Sequence, residues 1–227
     1  MILVPVKNLS AAKQRLAAVL DQPSRTKLAQ AMLYDVLTAL HGWRERPEVA
    51  VVSSDVYAVR LATEYEFEIV PDPANPGETA AIEMATQLCV ERGENSTLVI
   101  PADIPLIQAR ELEEIMKQAP AEGSVLVPAA DGRGTNAAFR RPADLFPLRF
   151  GNDSFKPHHA AAQATGKPCI VLQLPGIVVD VDNPADLEHL ASLPGETRAQ
   201  SLLREWKITT TRVGTGDSPV QPRSGDI

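Results

Sequence analysis

The chain has 227 residues, a formal net charge of −7 at pH 7, 4% aromatic residues and two cysteines. That length buries enough core to fold without metal or disulfide staples, and Cys89 and Cys169, with no CxxC spacing, read as buried, reduced thiols of a cytosolic protein. The acid excess and the scarcity of stacking rings exclude a general nucleic-acid surface, and no run approaches the roughly twenty apolar residues that would span a bilayer.

The chain opens on "ILVPV", a short β-branched run that predicts a strand. Its charge follows the apolar run, the wrong order for a signal peptide. Next comes "PVKNLSAAKQRL", which places Lys7, Lys13 and Arg15 in one loop and the first turns of a helix expected at about 10–20. A helix start exposes unpaired N–H groups and the positive end of the peptide dipoles, so with three cations this spot suits a polyphosphate. In "DQPSRTKLAQAMLYDVLTALHGW", Leu28, Met32, Val36 and Leu40 recur every four residues as one apolar helical stripe. The runs "EVAVVSS", "FEIVPD", "STLVIPAD", "SVLVPA", "CIVLQL" and "GIVVDVD" read as further strands, and helices are expected at about 55–65, 77–92, 109–118, 155–165, 183–193 and 196–207. Most of these strands lack polar alternation, which suits coverage on both faces. The alternating order predicts an α/β fold: a largely parallel open sheet with helices on both faces. Residues 1–207 read as a single domain. The stretch 208–227, rich in Gly, Pro, Ser and Thr and without apolar period, reads as a mobile tail.

In such a sheet ligands gather at the carboxyl ends of the strands. That rule selects Lys7, Ser53 to Asp55, Asp72, Asp103, Asp131 and the pair Asp180 and Asp182. Asp103 closes the apolar run in "TLVIPADIPLI", between Pro101 and Pro105. Two apart on what reads as a strand, Asp180 and Asp182 share a face and repel each other unless a cation or protons sit between them. If Asp103 lies nearby, three oxygen ligands converge, a set suited to magnesium. The competing local reading makes Asp182 or Asn183 the N-cap of a helix starting at Pro184; one of the two aspartates is expected to cap and at least one to bind metal. "GRGTNA", Gly132 to Ala137, formally matches the dinucleotide fingerprint, but Pro142 follows too soon for the long helix a pyrophosphate needs. It is read instead as a loop whose N–H groups, with Thr135 and Asn136, face another anion. Further on, "RFGNDSFKPHHAAAQATGK" offers Gly151, Ser154 and Lys156, with Ser154 expected to cap the next helix. His158 and His159 point in different directions on that helix and are given surface or packing roles. With no nucleophile elbow, CxxC or triad pattern, the basic loop and the carboxylates point to phosphoryl or nucleotidyl transfer, in which metal and cations neutralise phosphate charge.

In their order and spacing, "VPVKNLSAAKQRL", "RTKLAQAMLYDVL", "VVSSD", "PADIPLI", "GRGTNA", "FGNDSFKPH" and "VDVDNPADL" resemble the guanylyltransferases that make the deazaflavin coenzyme F-420. That family is similar to a larger group of nucleotidyltransferases with a glycosyltransferase-A-like sheet. The resemblance covers roughly residues 1–193. It implies a cytoplasmic enzyme that transfers GMP from GTP to the phosphate of phosphoenolpyruvate or 2-phospho-L-lactate and releases pyrophosphate. It also implies that Lys7, Lys13 and Arg15 hold the GTP phosphates and that Thr135, Gly151 and Ser154 bind the acceptor, joined by their neighbour Asn136. Asp103, Asp180 and Asp182 would bind Mg2+. Ser53 and Asp72, at their strand ends, are placed on the nucleotide side, and catalysis is assigned to Asp103, Lys13 and Arg15. Phosphoenolpyruvate is the expected acceptor. The alternatives are 3-phosphoglycerate, a sugar phosphate or molybdopterin on the same fold, or a GTP-binding protein without catalysis. A homodimer is the default assembly. The chain departs from the family at "NPGETAAIE", where Glu78 and Thr79 stand in place of the usual Leu-Asn. A phosphate-monoester acceptor, with a second pKa of about 6, is mostly dianionic near neutrality and needs no general base.

Overall fold

A computed structural model describes residues 1–74, 77–151 and 153–208. The tail expected from 208 onward therefore falls, from 209, outside the described residues. In chain order the elements are β1 (Ile2–Pro5), α1 (Gln22–Gly42), β2 (Val49–Val52), α2 (Val56–Glu64), β3 (Glu68–Val70), α3 (Glu78–Glu91), β4 (Thr97–Val99), α4 (Ala109–Gln118), β5 (Gly123–Pro128), β6 (Thr135–Arg141), α5 (Phe155–Ala164), β7 (Cys169–Val171), α6 (Pro184–Ser192) and α7 (Arg198–Glu205). The strands form one seven-stranded sheet in the order β3-β2-β1-β4-β6-β5-β7. All neighbours run parallel except β6, which is antiparallel to both β4 and β5.

Alternation along β1 divides the core. Ile2 and Val4 pack with Leu33, Val36 and Leu40 of α1 and Leu112 of α4, while Leu3 packs with Ile82 and Ala85 of α3 and Ala162 of α5. Asp21 starts α1 by accepting from the Ser24 amide, with Pro23 in the first turn. The stripe Leu28, Met32, Val36 and Leu40 is at most 1% exposed. Truncating one such side chain to Ala costs about 2–5 kcal/mol. Against the outer side of that stripe, Leu28 and Met32 meet Val181, Leu190 and Leu203, which fastens the last two helices to α1. Among the described residues no helix is long and apolar enough to cross a membrane.

Three expectations change. "GIVVDVD" is not a strand: the segment runs through a turn and pairs with no ladder, although Val178 O accepts from Ala130 N and Val181 N donates to Asp103 O. A strand that the pattern did not predict, β6, lies in the middle of the sheet. Because it runs backwards, its first residues stand at the same edge as the carboxyl ends of β1 and β4, with Val99 opposite Ala138 and Pro128 opposite Thr135. The helix expected at about 10–20 is instead a pair of three-residue 3-10 turns, Leu9–Ala11 and Gln14–Leu16. Turns this short carry no helix dipole to hold an anion at the basic loop. Cys89 is buried and Cys169 is half-exposed; both are free thiols.

Candidate active site

Cavities of about 610, 490 and 460 Å3 run side by side along the carboxyl edge of the sheet. The first two share Val6, Asn8 and Leu9; the last two share Arg15, Glu78, Asp103 and Asp182. They make one elongated cleft whose middle is the loop after β1.

Lys13 is the hinge of that loop. It joins the two 3-10 turns in the left-handed region, at φ 54° and ψ 45°. For a side chain with a Cβ this conformation costs about 1–2 kcal/mol and persists only where the surroundings over-determine it. Here the surroundings are two carboxylates: Lys13 Nζ donates to Asp103 Oδ2 at 2.7 Å and to Asp182 Oδ1 at 2.9 Å. Burial alone would make the ammonium easier to deprotonate, but Asp103 and Asp182 outweigh it and hold the proton more tightly than usual. Arg15 Nη1 reaches Asp182 Oδ2 at 3.4 Å, and Lys7 is exposed on the wall of the 490 Å3 cavity. Burial works to raise the Asp182 carboxyl, and Lys13 followed by Arg15 bring it below the usual range.

Two other acids form no ion pair with Lys13 or Arg15. Asp180 is pushed up to about 6, first by burial and then by Asp103, against a hydrogen bond from Asn136 Nδ2 at 3.1 Å. Glu78, half-buried at the start of α3, is pushed up to about 7 by burial and then by Asp103, with Lys7 and Lys13 opposing. Among the described residues no group of three or more His, Cys, Asp or Glu side chains is close enough to hold a metal ion. Instead of closing a triad, Asp103 and Asp182 share the Lys13 ammonium. Asp103 repels both Asp180 and Glu78, and it lines one cavity with each of them; of the three aspartates, Asp103 and Asp180 are the two that no ion pair joins to Arg15. Two carboxylates with places left for water and phosphate oxygens are a donor set that fits magnesium.

The cap expected of Asp180 or Asp182 belongs to neither. Asn183 Oδ1 accepts from the Ala185 amide at 2.9 Å, and Asp186 reaches back to the amides of Asp182 and Asn183. Both aspartates are thereby free for the cleft, although they do not lie on a strand.

At the 460 Å3 end, Thr135, Asn136, Gly151 and Ser154 line one cavity. Asn136 Nδ2 also donates to Ile177 O at 2.9 Å, which fixes its amide plane. Gly151, at φ 142°, occupies a conformation that side chains with a Cβ rarely adopt. Ser154 stands at the N-cap position of α5, but its hydroxyl makes no cap; it lies 3.3 Å from Thr135 Oγ1 instead. His158 takes a packing role, as expected, with both ring nitrogens bonded: Nδ1 lies 2.9 Å from Thr135 Oγ1 and Nε2 accepts from the Arg149 amide at 2.7 Å. Thr79, at the departure from the family pattern, clamps the same loop, since its hydroxyl accepts from Phe150 N at 2.9 Å and donates to Phe150 O at 3.2 Å.

The "GRGTNA" segment is a turn that leads into the unpredicted strand β6, not the loop-and-long-helix of a pyrophosphate site. Asp131 Oδ1 accepts from the Arg133 amide at 2.8 Å, and Arg133 pairs with Asp153 across the loop. At the 610 Å3 end, Ser53 is 1% exposed and its hydroxyl donates to Val6 O, so Ser54 lines the cavity in its place, beside the expected Asp72. Asp55 caps α2 and also accepts from Leu9 N at 3.0 Å, which pins the basic loop to β2.

The family model described as guanylyl transferase CofC like matches residues 1–220. A phosphoenolpyruvate guanylyltransferase of Roseiflexus castenholzii is 38% identical over 204 residues, covering 90% of this chain and 93% of the relative. A 3-phospho-D-glycerate guanylyltransferase of Colwellia psychrerythraea is 32% identical over 193 residues, 85% of this chain and 91% of the relative. Among solved structures, a protein of Desulfovibrio desulfuricans G20 described as a nucleotide-diphospho-sugar transferase superposes with a TM-score of 0.72 at 19% identity, covering 91% of this chain and 94% of that one. At that identity the likeness shows the fold alone.

Proposed function

The chain belongs to the CofC-like guanylyl transferase family, and on that premise we propose that it transfers GMP from GTP to the phosphate of phosphoenolpyruvate in the making of deazaflavin coenzyme F-420. The observation that carries this reading is that Arg15, Asp103 and Asp182 are shared by a cavity lined by Lys7 and Lys13 of the basic loop and a cavity lined by hydroxyls and amides. Such a cleft takes two phosphorylated molecules end to end. The triphosphate lies over Lys7, Lys13 and Arg15, and the acceptor lies against Thr135, Asn136, Gly151 and Ser154.

The reaction is an in-line displacement. A phosphate oxygen of the acceptor attacks the α-phosphorus, a new P–O bond forms, and the bridging bond to the β-phosphate breaks to release pyrophosphate. Deprotonation is unnecessary for an acceptor already dianionic near neutrality, which agrees with three cavities whose described lining residues include no histidine. The obstacle is repulsion between two polyanions, and at 4 Å two unit charges still oppose each other by about 4 kcal/mol at the effective dielectric of a protein surface. Lys13, Lys7 and Arg15 offset that repulsion. Magnesium held by Asp103 and Asp180 would supply further neutralisation of phosphate oxygens.

The Colwellia relative gives a second reading, with 3-phosphoglycerate as acceptor. Pyrophosphate release measured with GTP and each phosphorylated acid separates the two. Turnover with phosphoenolpyruvate at a kcat/KM at least tenfold above that with 3-phosphoglycerate supports the first. The opposite ratio, or equal turnover with ATP or CTP, contradicts it.

A further inference from the structure

His158 is 1% exposed, in the first turns of α5, and does not itself reach the cleft. Its hydrogen bonds determine where its proton sits. The partner of Nε2 is the Arg149 backbone amide, 2.7 Å away, which can only donate. Nε2 must therefore carry a lone pair, and in the neutral ring the proton is on Nδ1, facing Thr135 Oγ1 at 2.9 Å. Burial, and then the neighbouring Arg140, lower the ring's pKa to about 4, so the neutral form prevails near neutrality.

The consequence falls on Thr135. Its oxygen accepts from His158 Nδ1 and from Ser154 Oγ at 3.3 Å, which uses both lone pairs. Its own hydrogen must then point elsewhere, and the open direction is the 460 Å3 cavity that Thr135 lines. The same ring, through Arg149, holds the loop that carries Gly151, which lines the same cavity, one residue from the Thr79 clamp on Phe150.

We propose that His158 is a positioning residue for the acceptor: locked as the Nδ1–H tautomer, it turns the Thr135 hydroxyl into a fixed donor toward the anionic group bound in that cavity. The proposal rests on the acceptor reading given above. A donor fixed in advance loses no rotamer entropy on binding, and a hydrogen bond to a charged group is worth about 1.5–3 kcal/mol, or roughly 10–100-fold in affinity.

Two amide substitutions divide the roles of the ring. His158→Asn places an N–H near the position of Nδ1 and keeps the donor to Thr135; His158→Gln places an acceptor near the position of Nε2 and keeps the bond to Arg149 while losing that donor. The expected result is a KM for phosphoenolpyruvate raised at least tenfold in His158→Gln and within about threefold of wild type in His158→Asn, with the KM for GTP unchanged in both. Equal effects of the two variants, or a KM for GTP that moves in step, overturn the proposal in favour of plain packing. Independently of activity, 15N NMR of the imidazole in the wild-type protein should show Nδ1 protonated and Nε2 bare. A protonated Nε2 refutes the tautomer while the enzymatic reading stands. An Nδ1–H ring in a protein that guanylylates no acid refutes the enzymatic reading, and the acceptor role falls with it.

Discussion

Lys13 and Asp103, ninety residues apart in the chain, meet at 2.7 Å, ammonium to carboxylate, and through this contact the loop after β1 is fastened to the loop after β4, its neighbour in the sheet. The Lys13 side chain is 10% exposed and Asp103 is 28% exposed. The pair is dry enough to be held in place and open enough for a phosphate to reach its cation.

Replacing this cation should damage chemistry far more than folding. In Lys13→Met, kcat is expected to fall by about 10²–10³-fold, the loss typical of removing one preorganised charge from a transition state. The stranded carboxylates are partly in water, so stability should fall by only about 1–2 kcal/mol in a urea titration. A variant with near-normal turnover would remove Lys13 from the mechanism.

The acids should divide two against one. Asp103→Asn and Asp180→Asn are each expected to weaken Mn2+ binding to the GTP-loaded protein by at least about tenfold, followed by electron paramagnetic resonance. Asp182→Asn, which removes a partner of Lys13 and Arg15, should act mainly on the KM for GTP. Equal loss of metal in all three variants would restore the three-acid arrangement that the motif spacing suggested.

Glu78 gives a stability effect of definite sign. Its folded pKa is about 7, above its ordinary value near 4.5, so its favourable contribution is complete below 4.5 and is lost as pH rises through 7. In metal-free buffer at pH 8, Glu78→Gln should be more stable than wild type by about 1–2 kcal/mol, with the difference gone near pH 4. Lower stability of the Gln variant at pH 8 would show that the carboxylate has a partner worth more than its desolvation.

His158 has the opposite slope. Its folded pKa of about 4 lies below the ordinary 6.5, so the neutral ring contributes stability that is complete above 6.5 and is lost as pH falls through 4. The difference in unfolding free energy between wild type and His158→Gln should shrink by on the order of 3 kcal/mol between pH 7 and pH 4. A difference that stays constant with pH would mean that the ring is hydrated in the folded state.

What the sequence showed and what it hid follow from the same physics. The stripe of α1 and the β-branched runs of β1 to β5 were legible because burial on one face, or on two, leaves a period in the residues themselves. β6 was not, because "TNAAFRR" begins with polar residues committed to the cleft and contains Arg140, which is 2% exposed yet hydrogen-bonded to Phe146 O, Thr86 and Thr97. "GIVVDVD" read as a strand since Ile177 and Val181 are apolar and fully buried, but they are buried in two separate clusters across a turn. The residues lining the cleft were largely found, because motifs at strand ends mark an edge whatever joins them. Their wiring was not: the ammonium shared by Asp103 and Asp182, the orphaned carboxyl of Glu78 and the ring linking Arg149 to Thr135 are contacts between distant segments, and single-sequence spacing carries no signal for them.

The central claim, attack of the acceptor phosphate on the α-phosphorus of GTP, is tested most directly by isotope position. Phosphoenolpyruvate labelled with 18O in its phosphate oxygens is incubated with GTP, magnesium and the protein, and the products are read by mass and 31P NMR. The account predicts a guanylylated phosphoenolpyruvate that retains all of the label, one labelled oxygen bridging the two phosphorus atoms, together with unlabelled pyrophosphate. Label in the released phosphate species, or GTP consumed without any joined product, would contradict it.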